Sequence, residues 1–108
     1  ADYAGKLAEK LIHGKHYGMS KTRWEMQSRG LDKNLIEDIL AEYTDDEIDE
    51  EIMRLLRTKY AEKLSDPDDR RRTVAALARR GYSYGAVKRC IEAALADEED
   101  FDPDEFEE

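Results

Sequence analysis

The chain has 108 residues, with 18 Lys and Arg against 27 Asp and Glu, 40% hydrophobic residues and a single cysteine. That length suits one compact domain or two small units sharing a core. The lone Cys90 excludes an internal disulfide, and no run approaches the roughly 18 apolar residues of a membrane helix.

The formal charge of -9 is unevenly placed: residues 97–108 hold nine acids and no base, so the remaining 96 residues, with 18 acids and 18 bases, are formally neutral. No basic-then-apolar leader opens the chain, and the expectation is a soluble cytoplasmic protein. Beginning at Ala1-Asp2 without Met, it reads as a piece of something longer.

From Tyr3 to about His16, Tyr3, Ala4, Leu7, Ala8, Leu11 and Ile12 recur at three and four, the spacing of one helical face. Gly14 and Gly18 weaken the end of this helix. A second helix is predicted from Gly18–Ser20, with Met19, Thr22 and Met26 inward, stopping at Gly30. Asp32 then caps a third, whose stripe is Leu35, Ile36, Ile39, Leu40 and Tyr43.

Thr44-Asp45-Asp46-Glu47 matches a capping box, in which hydroxyl and carboxylate satisfy each other's free backbone donors. Ile48, Ile52, Leu55, Leu56, Tyr60 and Leu64 follow on one face, predicting a helix of about 20 residues, roughly 30 Å long. It would be the longest element and the spine between two units. Asp66-Pro67 restarts the chain as cap and first helical residue. The helix to Arg80 should bury Val74, Leu77 and Ala78 and turn Arg72, Ala75, Ala76, Arg79 and Arg80 outward.

Gly81 stops that helix and Ser83 caps the last, whose inward residues are Ala86, Val87, Cys90, Ile91 and Leu95. From Asp97 onward, high charge, few apolar residues and Pro103 predict an acidic disordered tail. Helix, Gly stop, cap and helix thus occur twice, Gly30 and Gly81 lying 51 positions apart. The expected fold class is all-α: tandem three-helix, helix-turn-helix-like repeats in an elongated, curved bundle, divided as 1–43, 44–96 and the tail 97–108.

Leu77-Ala78-Arg79-Arg80-Gly81-Tyr82-Ser83-Tyr84, followed by Val87 and Ile91, resembles the last repeat of the RecX family. Tyr17-Gly18, Thr22-Arg23, Met26, Arg29-Gly30-Leu31, Leu35-Ile36-Glu37 and Leu40 resemble that family's middle repeat. The resemblance covers most of residues 3–95. RecX proteins are usually built from three such repeats, whereas this chain holds two, Met26 stands where Leu is common, and the acidic tail falls outside the resemblance. The resemblance implies a binding role without chemistry: a wedge in the groove of the RecA filament on single-stranded DNA, depressing ATP hydrolysis and strand exchange; a monomer without a cofactor is expected.

The residues read as candidates for such contact are basic and aromatic. Arg72, Arg79 and Arg80, with Lys88 and Arg89 on the next helix, make a strip suited to oxyanions, or a solvated face paired with Asp68 and Asp69. Arg23 and Trp24 occupy the second helix. Trp24 either anchors a partner or packs beneath the first helix. Tyr84 should be exposed and Tyr82 packed. The same pattern also describes a DNA-reading helix-turn-helix spanning Arg79 to Arg89, although a neutral body and an acidic tail weigh against strong DNA affinity. A tail acting as a phosphate mimic over the basic strip is a third reading. His13 and His16, three apart, lack an evident third metal ligand, and Cys90 reads as a core residue. No P-loop, Gly-x-Ser-x-Gly elbow or paired-Cys motif points to catalysis.

Overall fold

A computed structural model describes residues 3–100 of the chain, with side chains described for residues 3–96. Six α-helices follow one another: α1 Tyr3–Glu9, α2 Met19–Ser28, α3 Lys33–Leu40, α4 Asp45–Thr58, α5 Pro67–Arg79 and α6 Tyr84–Asp100. No strand occurs among the described residues. α1 packs on α2 and α3, and α6 packs on α4 and α5, which gives two three-helix units in tandem. A single cluster of buried residues runs from Ala4 to Ile91 through both units. The radius of gyration is 16.5 Å and the extents are 58 × 28 × 19 Å, against about 13 Å for a compact globule of this length. The chain is therefore an elongated all-α stack.

Local chemistry sets the helix ends. Asp32 accepts from the amides of Asn34 and Leu35, Thr44 from Glu47, Asp66 from Asp69 and Ser83 from Ala86, each satisfying donors that a first helical turn leaves free. Gly30 and Gly81 stop α2 and α5 with φ of 83° and 97°, a region glycine enters at no side-chain cost. The duplication extends to packing: Thr22 and Thr73, Met26 and Leu77, and Ile36 and Val87 are the same buried positions in the two units.

Several expectations fail for identifiable reasons. Tyr3 and Leu35 are exposed rather than buried. The first helix does not reach His16: it widens into a π-turn over Lys10–Gly14, and His16 takes a φ of 59°. α4 is not the longest element. It closes at Thr58, whose hydroxyl donates to the Arg54 carbonyl, while Lys59 and Tyr60 both donate to the Leu55 carbonyl. A 3₁₀ turn, Ala61–Lys63, lies between Tyr60 and Leu64, both of which remain buried. α6 is longer, at 17 residues, and the backbone of the expected tail is helical as far as Asp100. Residues 101–108 lie outside the described residues.

α5 is rotated by about one residue from the expected facing. Thr73 and Leu77 are buried, Val74 is half-buried and Ala78 is exposed. Thr73 tolerates burial because its hydroxyl donates to the Asp69 carbonyl at 2.9 Å.

Between the units the backbones touch directly. Gly18 N–H donates to the Arg80 carbonyl at 2.7 Å and Ser20 N–H to that of Gly81 at 3.3 Å. A Cβ on Gly18 would fall onto the carbonyl of Gly81 and the nitrogen of Tyr82. Glycine at position 18 thus answers a demand of close approach.

Candidate protein-interaction surface

The facing of α5 decides what the basic strip presents. With Thr73 and Leu77 inward, the period of 3.6 places Ala75 opposite them, Arg71 and Ala78 on one side of it and Arg72 and Arg79 on the other. All five are exposed. Two small residues framed by three guanidinium groups let a partner's backbone approach closely while Arg forks reach its acidic or phosphate oxygens. Arg71 joins this face, although the expected spacing did not single it out. Arg80 leaves it, its guanidinium donating to the Lys15 and His16 carbonyls at 3.2 and 3.5 Å. Ala76, half-buried, also lies off it.

The arginines differ in how far they are committed. Arg71 pairs with Asp68, and Arg72 donates to Asp69 at 2.9 Å. These are exposed pairs one turn apart, which a partner's anion can replace at little cost. The side chains of Arg79 and Lys88 make no hydrogen bond or ion pair with any described residue. Arg89 is held more firmly, one nitrogen lying 3.0 Å from both carboxylate oxygens of Asp49. Its role is to tie α6 to α4. Arg23 is likewise engaged, at 2.6 and 3.3 Å from the two oxygens of Glu37, and that hydrogen bond holds the Glu37 carboxyl below its ordinary range.

A groove between α5 and α6 adjoins the strip. Val74, Ile91 and Leu95 form its floor, Arg70, Arg71 and Lys88 part of its rim, and its volume is about 570 Å³. Tyr84, 65% exposed, stands in its wall. Trp24, at the position equivalent to Ala75, is 63% exposed on α2, so packing beneath α1 is ruled out and the outward placement stands. The candidates therefore separate into an accessible set (Arg72, Arg79, Lys88, Trp24 and Tyr84, with Arg71 added) and a set engaged in internal contacts (Arg23, Arg80 and Arg89).

The remaining chemistry-bearing residues are internal. Cys90 is buried. Burial, reinforced by the nearby Asp49 carboxylate, pushes its thiol up to about 11, which keeps it protonated and unreactive. His13 and His16 both contact Glu51, yet no group of three or more His, Cys, Asp or Glu among the described residues is arranged to hold a metal ion. The sequence does carry a signal for Glu51: it lies between Ile48 and Ile52 on the apolar stripe of α4, an unusual place for a carboxylate. No described helix is long and apolar enough to cross a membrane.

Comparison with known proteins agrees with this architecture. A family model for the third three-helix domain of RecX matches residues 45–91, from the first residue of α4 into α6. A protein of Herbaspirillum seropedicae named Regulatory protein RecX is 26% identical over 97 residues, covering 88% of this chain and 62% of that protein. Proteins of the same name from Streptomyces coelicolor and Streptomyces lividans are each 34% identical over 101 residues, covering 87% of this chain and 53% of theirs. The chain thus spans between about half and three-fifths of the length of these curated relatives. No solved structure matches it. A RecX domain matched on its second unit, the same unit repeated in its first, and RecX proteins aligned along most of its length together support a RecX family protein.

Proposed function

We propose that this chain binds the RecA filament on single-stranded DNA in the cytoplasm and restrains its ATP hydrolysis and strand exchange, acting by occupancy and without chemistry or a cofactor of its own. The observation that carries this reading is the outer face of α5, where Ala75 and Ala78 are framed by Arg71, Arg72 and Arg79, all exposed. A stack of helical units offers an extended surface made of several elements, and Trp24 supplies an aromatic anchor at the matching position of the first unit.

The test is co-sedimentation with RecA filaments together with filament-dependent ATP hydrolysis. Arg72→Glu and Arg79→Glu should each weaken binding by about tenfold or more, since each replaces a cation with an anion on an exposed contact face. Arg89→Gln, which lies off this face, should leave filament affinity within about twofold at matched folded fraction. Unchanged binding for both reversals would exclude this face. Failure of the chain to alter ATP hydrolysis, with and without a preceding third unit, would exclude the function.

Direct DNA reading is a weaker alternative, because Arg80 and Arg89, two bases of the Arg79–Arg89 segment, are engaged within the protein. Binding to bare DNA that weakens steeply with salt would favour it. Deleting residues 97–108 in the same assay separates a phosphate-mimicking tail, which predicts tighter binding, from an inert one.

A further inference from the structure

Three carboxylates converge on one imidazole between the two units. His13 Nε2 lies 2.8 Å from Glu47 Oε2 and 3.9 Å from Glu9 Oε1, and Nδ1 lies 2.8 Å from Glu51 Oε2. A neutral imidazole has one N–H and one lone pair. With a carboxylate oxygen 2.8 Å from each nitrogen, a neutral ring would aim its lone pair at an anion, and only imidazolium donates on both sides. Glu47, whose sequence position suggests the returning half of a capping box, has its carboxylate drawn to His13 instead.

Glu51 makes the arrangement consequential. It is 3% exposed, on the buried face of α4, where a carboxylate is costly unless cations meet it. Its second oxygen accepts from His16 Nδ1 at 2.9 Å, and Arg54 Nη1 is 3.4 Å from the first. His13 and His16 both come from the first unit, so the charge buried in the second is balanced largely across the joint. Lys6 of α1 and Glu42 line the same pocket as Glu9, Tyr43 and Glu47. Tyr43, its ring 5.9 Å from that of His13, donates its hydroxyl to Glu9 at 2.7 Å. From the α5–α6 turn, Arg80 donates to the Lys15 and His16 carbonyls, while the Tyr82 hydroxyl is buried, without a hydrogen-bond partner, within the field of Glu51 and Arg80.

We propose that His13 and Glu51 form a proton-dependent latch: imidazolium at His13 fastens the first unit against α4, and loss of that proton loosens the two units from each other. Burial alone would lower the His13 pKa, but its hydrogen bonds to Glu51 and Glu47 and the charges of Glu51 and Glu9 override burial and leave it above the ordinary 6.5. For Glu51, burial pushes upward, but the hydrogen bonds from His13 and His16 and the charges of His13 and Arg54 leave it below the ordinary 4.5. A raised His stabilises the fold fully below its unfolded pKa and ceases to do so as pH rises through the folded one. A lowered Glu stabilises above its unfolded pKa and ceases to do so as pH falls through the folded one. The latch is accordingly complete between roughly pH 4.5 and 6.5, the two unfolded values, and opens on the alkaline side.

The experiment needs no partner and is independent of the RecA reading. The His13 ring is titrated by NMR in the full chain, and the melting temperature is followed from pH 5 to 9 for the wild type and for His13→Gln. The expected result is a His13 midpoint above that of an unfolded-chain histidine, a wild-type melting temperature that falls relative to the variant as pH rises through that midpoint, and convergence of the two proteins at alkaline pH. A parallel wild-type reading is hydrogen exchange at Gly18, whose amide bonds across the joint: relative to Ile52 within α4, its protection should drop through the same midpoint. If His13→Gln does not fold, this ratio and the ring titration decide. A midpoint at or below the unfolded value, an unchanged difference between wild type and variant across the range, or a constant Gly18 to Ile52 ratio would overturn the latch.

Discussion

Thr22 and Thr73 occupy the same buried position in the two units, yet their hydroxyls fare differently. Thr73 donates to the Asp69 carbonyl, whereas Thr22 Oγ1 finds no hydrogen-bond partner. A buried hydroxyl without a partner costs its desolvation, and a bonded one contributes about 1 kcal/mol. Thr22→Val should therefore stabilise the chain by about 1 kcal/mol and Thr73→Val destabilise it by about the same, measured by urea unfolding at constant m-value. Equal effects would mean that the two sites are not the chemical contrast they present. At this scale the sequence was informative about which residues are inward, as Met26, Leu77, Val87 and Cys90 show. It was silent on which polar partner each would find, because Glu47 and Glu51 meet His13 only across more than 30 positions of chain.

Among the elements, the stops and caps were legible because they depend on a few neighbouring residues: glycine for a positive φ, and Asp, Thr or Ser for free amides. Helix lengths and facings were less so. The end of α4 rests on Thr58 and a shared Leu55 carbonyl, and α5 is turned by a threonine that apolar spacing alone does not register. Gly30 and Gly81 show how position within the fold modifies a shared local rule. Both have positive φ, but a Cβ on Gly30 meets nothing within 4 Å, whereas one on Gly81 meets the Lys21 backbone nitrogen at 2.5 Å. Gly30→Ala should cost about 1 kcal/mol for the backbone conformation alone. Gly81→Ala should cost about 3 kcal/mol or more, since steric overlap adds to the same penalty. Thermal unfolding of the two variants side by side checks this, and similar losses would show that α2 yields freely at Lys21.

Across the molecule, the duplicated pattern revealed a tandem all-α stack, and the joint between its units was the part least visible in the sequence. Its three components are the Gly18–Gly81 approach, the Arg80 guanidinium over the Lys15 and His16 carbonyls, and the His13–Glu51 cluster. Each joins residues that the repeat spacing does not relate. The accessible face of α5 lies apart from this joint, so charge reversals there should alter binding while leaving stability within about 0.5 kcal/mol. A reversal that unfolded the chain would count against that separation.

The contact between Lys15 and Arg80 brings together residues 65 positions apart, which has a bearing on the order of folding. Closing so long a loop costs about 4 kcal/mol of chain entropy by the logarithmic estimate, repaid only once both units are formed. The joint should therefore assemble after the folding barrier rather than in it. Gly18→Ala would then speed unfolding and leave the refolding rate nearly unchanged, giving stopped-flow chevrons that differ in the unfolding limb alone. The seam between the units would govern how long the folded chain lasts, and each unit's local contacts how quickly it forms.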